Sequence, residues 1–497
     1  MNNSINFFDE YMKNQSVEVV NDLHNYFEKF DAHCMLKKSE KEKLRGDFEK
    51  AFLYYLDNGI SHKQALELLS IKYLGDFYEN ANERWFTLDD AAKIYPLSMN
   101  RGRMSMGRMS VYLKENVIPE LLQVSLNFTV KRFPSFATTL KKGFFWHYLD
   151  MTRRRFCIEP ETDIPCQPIK ISGSNSQSFR IFYYKNRISF ECFHALSDGL
   201  GAINFLKVLT AEYLRLTGKD IILDETLPNI NSTPLEEEFE NAFKKINLPK
   251  TAVPAVNKPA VQMAGKLAAV KPCRIIHFKI NAEELKNISK KYHTTTTRYL
   301  LALVFIAGKS AAAKPSGNIN IQVPVNLRKF YASKTFLNFV LPCGICLPME
   351  EIRDVQSIIE KINVQMKLKT SKNAMYETLS ATEKLVDAVK YVPLMLKQPA
   401  AKIGYRFIGD RAFTSILTDL GVIRMPASAA EHIESMDAII GTAVTHRARC
   451  AVITFNNVTT MSITKATENS VFEEKIYELL CSDGIIPTVE GSENYGY

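Results

Sequence analysis

The sequence predicts a mixed α/β (α+β) protein: two α/β lobes of similar size behind an all-helical N-terminal extension. Three observations carry this reading. Apolar residues recur at helical spacing over the first 83 positions. Two pairs of β-rich runs are split by Lys185-Asn186 and by Asn456-Asn457, each a hairpin signature. Between Pro249 and Pro272 the chain has neither helical nor strand period and carries several prolines, as an extended linker does. The expected division is a helical extension over 1–85, a first lobe over 86–250, a linker over 251–272 and a second lobe over 273–497.

In the extension, Phe27, Phe30, Ala51, Leu53, Tyr54, Ala65, Leu66, Leu68 and Leu69 fall at three- and four-residue steps among charged positions. Ser61 ahead of His62-Lys63-Gln64 has the form of a capping box, so a helix is expected to begin near residue 62. After Ala91 the texture turns mixed. Ser125–Val130 leans toward strand, and Gly143–Tyr148 alternates like one. Phe179–Tyr184 and Arg187–Phe193 form the first hairpin, whose second strand delivers the chain to His194. An amphipathic run from Leu200 to Leu216 reads as a helix stopped by Gly218. Beyond the linker come a strand over Arg274–Ile280, helices over Ala282–Lys291 and Thr297–Ala313, and a strand over Asn318–Val325. Cys450–Phe455 and Thr460–Thr464 form the second hairpin, followed by a helix over Val471–Leu480.

The chain has 497 residues, 46% hydrophobic and 24% charged, enough to bury sizeable cores and unlike disordered, collagenous or coiled-coil sequences. The start lacks a basic n-region and an apolar h-region, so no secretory signal is read. The most apolar stretch, Tyr299–Ala307, stops at Gly308 and Lys309, short of the roughly 20 residues a bilayer crossing needs. Nine scattered cysteines suit free thiols in a reducing, cytoplasmic setting. The net charge of +9 could serve nucleic acid, an anionic membrane surface or a phosphate-bearing small molecule, and its sign alone does not choose among them. Arg153-Arg154-Arg155 and Arg101/Arg103/Arg108 are the densest basic spots; without interleaved aromatics they read as solvated faces, and no nucleic acid is expected.

The sharpest local feature is Phe193-His194-Ala195-Leu196-Ser197-Asp198-Gly199-Leu200-Gly201, between a strand and an amphipathic helix. Imidazole titrates near neutrality, so a histidine projecting there into a cleft can take a proton from a hydroxyl or amine attacking a carbonyl. Asp198 either caps the helix or pairs with a cation from elsewhere, and the glycines permit close backbone approach. In a chain with nine histidines a bare His-x-x-x-Asp arises by chance about four times in ten, so spacing alone decides little.

This stretch resembles the His-x-x-x-Asp-Gly signature of the CoA-dependent acyltransferase superfamily, which includes chloramphenicol acetyltransferase, peptide-synthetase condensation domains and alcohol acetyltransferases. Further segments are similar, in order, to landmarks of the alcohol acetyltransferase branch: Arg132–Ala137 with Lys142–Leu149, Ile164-Pro165-Cys166, Val323–Arg328, Asn338-Phe339 and Leu420–Ile423. The similarity spans about residues 91–485 and leaves the N-terminal helices outside.

The resemblance implies two chloramphenicol-acetyltransferase-like lobes with a central tunnel, His194 as general base at their junction, and Asp198 and Gly199 holding the motif. Asp198 would pair with Arg328 of the second lobe; without the resemblance Arg328 reads as a surface arginine. Asn338 would contact substrate or the developing oxyanion, its plainer alternative being a turn or strand-end asparagine. Thr418 opens Thr418-Asp419-Leu420-Gly421 where many relatives read Ser-Asn-Leu-Gly, so a carboxylate replaces a neutral amide beside the acceptor contact. The implied chemistry is O-acyl transfer from acyl-CoA, a co-substrate and not a tightly bound cofactor, to a small hydroxyl or amine acceptor. No acyl-enzyme is required.

Two rival readings come from other classes. A condensation-type domain would act on carrier-bound thioesters, but Phe193 stands where its paired histidine belongs. A decayed scaffold would instead bind a protein partner through residues 1–85. Cys343-Gly-Ile-Cys346 has metal-type spacing without a completing pair and reads as two strand thiols, so no metal is expected. Gly308-Lys309-Ser310 lacks the first glycine of a phosphate loop. Val389–Arg406, with Leu394, Met395 and Leu396 among lysines, reads either as a weak membrane-surface contact or as a packing helix interrupted by prolines.

Overall fold

The computed structural model describes residues 7–79, 84–99, 104–170, 177–246, 259–408, 410–443 and 445–492. Arg101, Arg103 and residues 251–258 of the expected linker lie outside them.

Four helices open the chain: α1 (Phe7–Lys13), α2 (Val17–His33), α3 (Lys38–Asp57) and α4 (His62–Leu68). The last begins where the capping signal falls, with the Gln64 amide reaching Ser61 Oγ at 3.4 Å. Their buried aromatics do not form a separate bundle. Phe8, Phe27, Phe30, Phe48 and Phe52 share one continuous core with the first lobe. Phe48 meets Phe128 edge-on at 5.7 Å, and the Tyr55 hydroxyl donates to Leu216 O at 2.7 Å.

The first lobe follows as β1 (Trp85–Thr87), α5 (Ile94–Ser98), β2 (Met106–Leu113), α6 (Pro119–Thr129), β3 (Thr138–Lys142), β4 (His147–Met151), β5 (Ile158–Pro160), β6 (Phe179–Tyr184), β7 (Arg187–Phe193) and α7 (Gly199–Leu216). Two expectations fail here. Ser125–Thr129 belongs to α6 and Val130 to the turn that follows it, not to a strand: Pro119 starts the helix and every residue from Leu121 to Thr129 is buried, so no polar face marks its period. Gly143–Trp146 is the tip between β3 and β4, and the strand starts only at His147. The hairpin at Lys185-Asn186 forms as read, Lys185 taking the positive φ of 51° that such two-residue turns demand.

Of the basic spots, Arg108, Arg154 and Arg155 turn inward instead of facing water. Arg155 clamps Asp47 of α3 with two bonds of 2.6 Å, and Arg154 is buried. Arg108, on β2, is buried between Glu191 at 2.8 Å and Glu161 at 2.6 Å. Charges taken out of water need partners, and Arg108 and Arg155 have found theirs in carboxylates distant in sequence.

The second half comprises β8 (Arg274–Asn281), α8 (Ala282–Lys291), α9 (Thr296–Ser310), β9 (Asn318–Asn326), β10 (Val340–Pro348), α10 (Val355–Lys369), α11 (Lys372–Ala388), α12 (Leu394–Ile408), β11 (Ser415–Val422), α13 (Ala427–Ala430), β12 (Ile433–Ile440), β13 (Ala448–Phe455), β14 (Val458–Lys465), α14 (Val471–Ser482) and β15 (Thr488–Gly491). Seven strands form one sheet in the order β10-β9-β11-β13-β14-β8-β15, over a core dominated by α9. From residue 259 the stretch read as linker is extended but packed: Val261 N donates to Asn318 O, and Val261 and Met263 are buried.

The lobes interlock. The first sheet runs β12-β2-β7-β6-β5, so its edge strand comes from the second half of the chain and pairs antiparallel with β2. Beside β12 and β2 lies β7, whose end carries His194. The motif therefore sits where a strand of one half crosses into the other.

Candidate active site

β7 ends at Phe193, and the His194 amide continues the pairing by donating to Ser105 O at 2.8 Å. Four residues later Asp198 caps α7, its Oδ1 accepting from Leu200 N at 3.1 Å and Gly201 N at 3.2 Å. Both readings of Asp198 hold together, because Oδ2 accepts from Arg328 Nη1 at 2.7 Å and from Phe339 N at 2.9 Å. Arg328 also gives Nη2 to Thr335 O and Leu337 O at 2.7 and 2.8 Å, so one guanidinium ties the first-lobe motif to the Thr335–Leu337 segment of the second. It is a largely enclosed arginine, its side chain 9% exposed, and not a surface one.

Gly201 is the tighter of the two glycines. A Cβ there would stand 2.1 Å from Phe336 O and 2.1 Å from Ser197 Oγ, whereas at Gly199 it would meet the far end of Leu420 at 2.4 Å.

The His194 ring is half-buried, its Nδ1 shielded from water, and it lines a cavity of about 180 Å³. Met106, Met109 and Asp198 of the first half and Pro324, Thr418 and Leu420 of the second line it too. Burial lowers the His194 pKa; its own carbonyl, Asp198 and the Asn338 amide push back, and Arg449 adds to the lowering. The ring is thus kept neutral and able to accept a proton.

Two residues that no motif marks complete the site. Tyr95 of α5 stacks on the imidazole, ring centroids 4.5 Å apart and planes 19° from parallel. Asp89, wholly buried just ahead of α5, accepts from Ala92 N at 2.7 Å and from Asn338 N and Nδ2 at 3.1 and 3.2 Å. Burial pushes its carboxyl up to about 7, with the nearby Asp198 charge adding to the effect.

Asn338 Nδ2 gives its other bond to His194 O at 3.0 Å. Asn338 is fully buried and its amide hydrogens are committed to Asp89 and His194, so none remains for a ligand. In place of the expected substrate contact, its geometry is that of a brace behind His194. Thr418 is half-buried in the cavity wall. Asp419 beside it lines the cavity too, its carboxylate accepting from Thr297 Oγ1 and Gly421 N. Among the described residues no cluster of three His, Cys, Asp or Glu could hold a metal, and burial raises both thiols of Cys343 and Cys346.

The two-lobed fold, with the His194–Gly199 turn at the junction of the lobes, is similar to that of solved structures that include acetyltransferases. Solved structures of similar fold include polyketide synthase associated protein 5 from Mycobacterium tuberculosis, with TM-score 0.54 and 14% identity over 80% of this chain and 97% of that one. The trichothecene 15-O-acetyltransferase TRI3 from Fusarium sporotrichioides gives 0.55 and 11% over 81% and 95%. F. graminearum TRI101, complexed with coenzyme A and T-2 mycotoxin, gives 0.53 and 9% over 81% and 99%. No family model matches the sequence, and no curated protein sequence matches it.

Proposed function

We propose that this protein is an acyl-CoA-dependent O-acyltransferase with His194 as general base. The observation that carries the reading is a neutral-leaning imidazole exposed to a cavity walled by both halves of the chain, on a turn held by the buried Asp198–Arg328 pair. Acyl-CoA and a hydroxyl acceptor meet at His194. With Nδ1 enclosed, Nε2 takes the hydroxyl proton as the acceptor oxygen bonds to the thioester carbonyl carbon. The C–S bond then breaks and the imidazolium returns the proton to the departing sulfur, releasing CoA thiol and ester. Thr418 supplies the contact to substrate or oxyanion, while Asn338 positions His194 from behind. Holding both reactants in one cavity replaces a bimolecular encounter.

Thiol release from acetyl-CoA across a panel of alcohols and amines tests this. His194→Ala is expected to lose about 10²–10⁴ of the rate while still binding CoA by calorimetry. Undiminished turnover in the purified variant would overturn the assignment.

A further inference from the structure

The tip between β3 and β4 meets the turn that leads from α11 into α12. Leu394 N donates to Phe144 O at 2.8 Å, and Lys397 Nζ donates to Phe145 O at 2.9 Å while lying 3.3 Å from the centroid of the Trp146 ring. Lys397 is itself buried, and desolvation draws its pKa down to about 8. The two segments, from opposite halves of the chain, are thereby clamped into one surface.

That surface is apolar where it faces out. Phe144, Tyr391, Met395 and Leu396 are 72%, 75%, 78% and 63% exposed, and Phe145 bridges them, 4.8 Å from Phe144 and 6.2 Å from Tyr391. Four large side chains held this far into water by rigid backbone contacts lose free energy in a monomer and gain it when covered. Their setting decides what covers them. Besides the buried Lys397, residues 141–146 and 384–402 carry five lysines (Lys141, Lys142, Lys384, Lys390 and Lys402) against one carboxylate, Asp387. Asp387 already leans toward Lys390 at 4.0 Å. Aromatic and aliphatic tips ringed by lysine suit the boundary between acyl chains and anionic headgroups, whereas a protein-binding patch is depleted in lysine.

We propose that this two-segment surface docks the protein on an anionic lipid bilayer, lying in the interface without crossing it. Among the described residues no helix is long and apolar enough to cross a membrane, so any attachment made here is peripheral. The surface also lies one element from the candidate active site. Gln398 Nε2 of α12 donates to Pro96 O at 3.4 Å, and Pro96 follows Tyr95, the residue stacked on His194. The docking chemistry does not depend on acyl transfer.

Sedimentation of the full chain with vesicles tests it, using phosphatidylcholine alone and phosphatidylcholine with phosphatidylserine. The wild type is expected to partition at least about tenfold more strongly onto the anionic vesicles, with binding falling as salt rises. Phe144→Asp with Met395→Asp should abolish sedimentation, and Lys142→Glu with Lys390→Glu should remove the preference for anionic lipid. All four side chains are exposed, so melting temperature should not move. Wild type that ignores anionic vesicles, or aspartate variants that bind them as well as wild type does, would overturn the proposal. So would a concentration-dependent dimer, seen by light scattering and lost in the same variants, without vesicle binding.

Discussion

On one flank of His194 stand groups written almost consecutively, Ser197 to Gly201, with Asp198 capping the helix that follows. On the other stand Asp89 and Tyr95, brought from a hundred residues upstream, and Asn338, brought from more than a hundred downstream. The first flank is held by a charge pair and backbone amides, the second by a stacked ring and a buried carboxyl. A turn motif can fix where the imidazole emerges. Its tilt, its contact with water and its proton affinity depend on what the rest of the fold brings against it.

The largest effect tests the motif flank. Arg328→Met leaves the Asp198 carboxylate without its cation and the Thr335 and Leu337 carbonyls without their donor. Breaking a buried pair typically costs about 3–5 kcal/mol, and the three backbone amides still bonded to Asp198 place this one near the lower end. Denaturant unfolding reads it. Combining Arg328→Met with Asp198→Asn should cost less than the sum of the single changes; strict additivity would mean the pair carries no coupling.

How far each flank could be read from sequence follows from the same contrast. The motif, the α7 helix with its glycine stop and the two hairpins are short-range features, and each formed where its residues placed it. Arg328 emerged only through resemblance, since one arginine in a strand-like segment carries no local mark. Helix α6 was hidden because burial on all sides erases its period. Strand β12 was hidden because joining the other half's sheet is a pairing between residues more than 300 positions apart, such as Met436 with Val111. Arg154 and Arg155 looked like surface charge because the carboxylate that answers Arg155 lies in α3. Asp89 and Tyr95 belong to this second kind. Thr-Leu-Asp-Asp-Ala-Ala-Lys-Ile-Tyr-Pro has no spacing that announces a site, and only the tertiary approach of Asn338 and His194 gives those two residues meaning.

A pH titration of stability separates the flanks at intermediate magnitude. Asp89 has its folded pKa raised to about 7 from 3.8. A carboxyl raised in this way binds more protons in the folded than in the unfolded chain between those two values, so its contribution falls as pH climbs from about 4 through about 7. The full loss is bounded by about 4 kcal/mol, from roughly three pKa units at 1.36 kcal/mol each. Asp89→Asn should flatten the fall in melting temperature across that window by about one proton's worth of slope. An identical slope in wild type and variant would mean that Asp89 titrates as an ordinary carboxyl.

The smallest expected effect concerns the ring against the imidazole, and it asks whether the unmarked flank affects reactivity as well as stability. Tyr95 stacks on His194 at 4.5 Å and helps to enclose it. Aromatic stacking of this kind is worth about 0.5–1.5 kcal/mol beyond area burial, so Tyr95→Leu should lower the rate of the proposed acyl transfer by up to about tenfold through a less well-oriented proposed base. Tyr95→Phe keeps the ring and should stay close to wild type if stacking is what positions the imidazole. Water admitted by the leucine variant also relieves the burial that holds the His194 pKa down. The acidic limb of its pH–rate profile should therefore move upward toward the ordinary histidine value, while that of the phenylalanine variant stays put. If both variants lost activity equally with no change in the limb, the hydroxyl, and not the ring, would be the part of Tyr95 that the imidazole depends on.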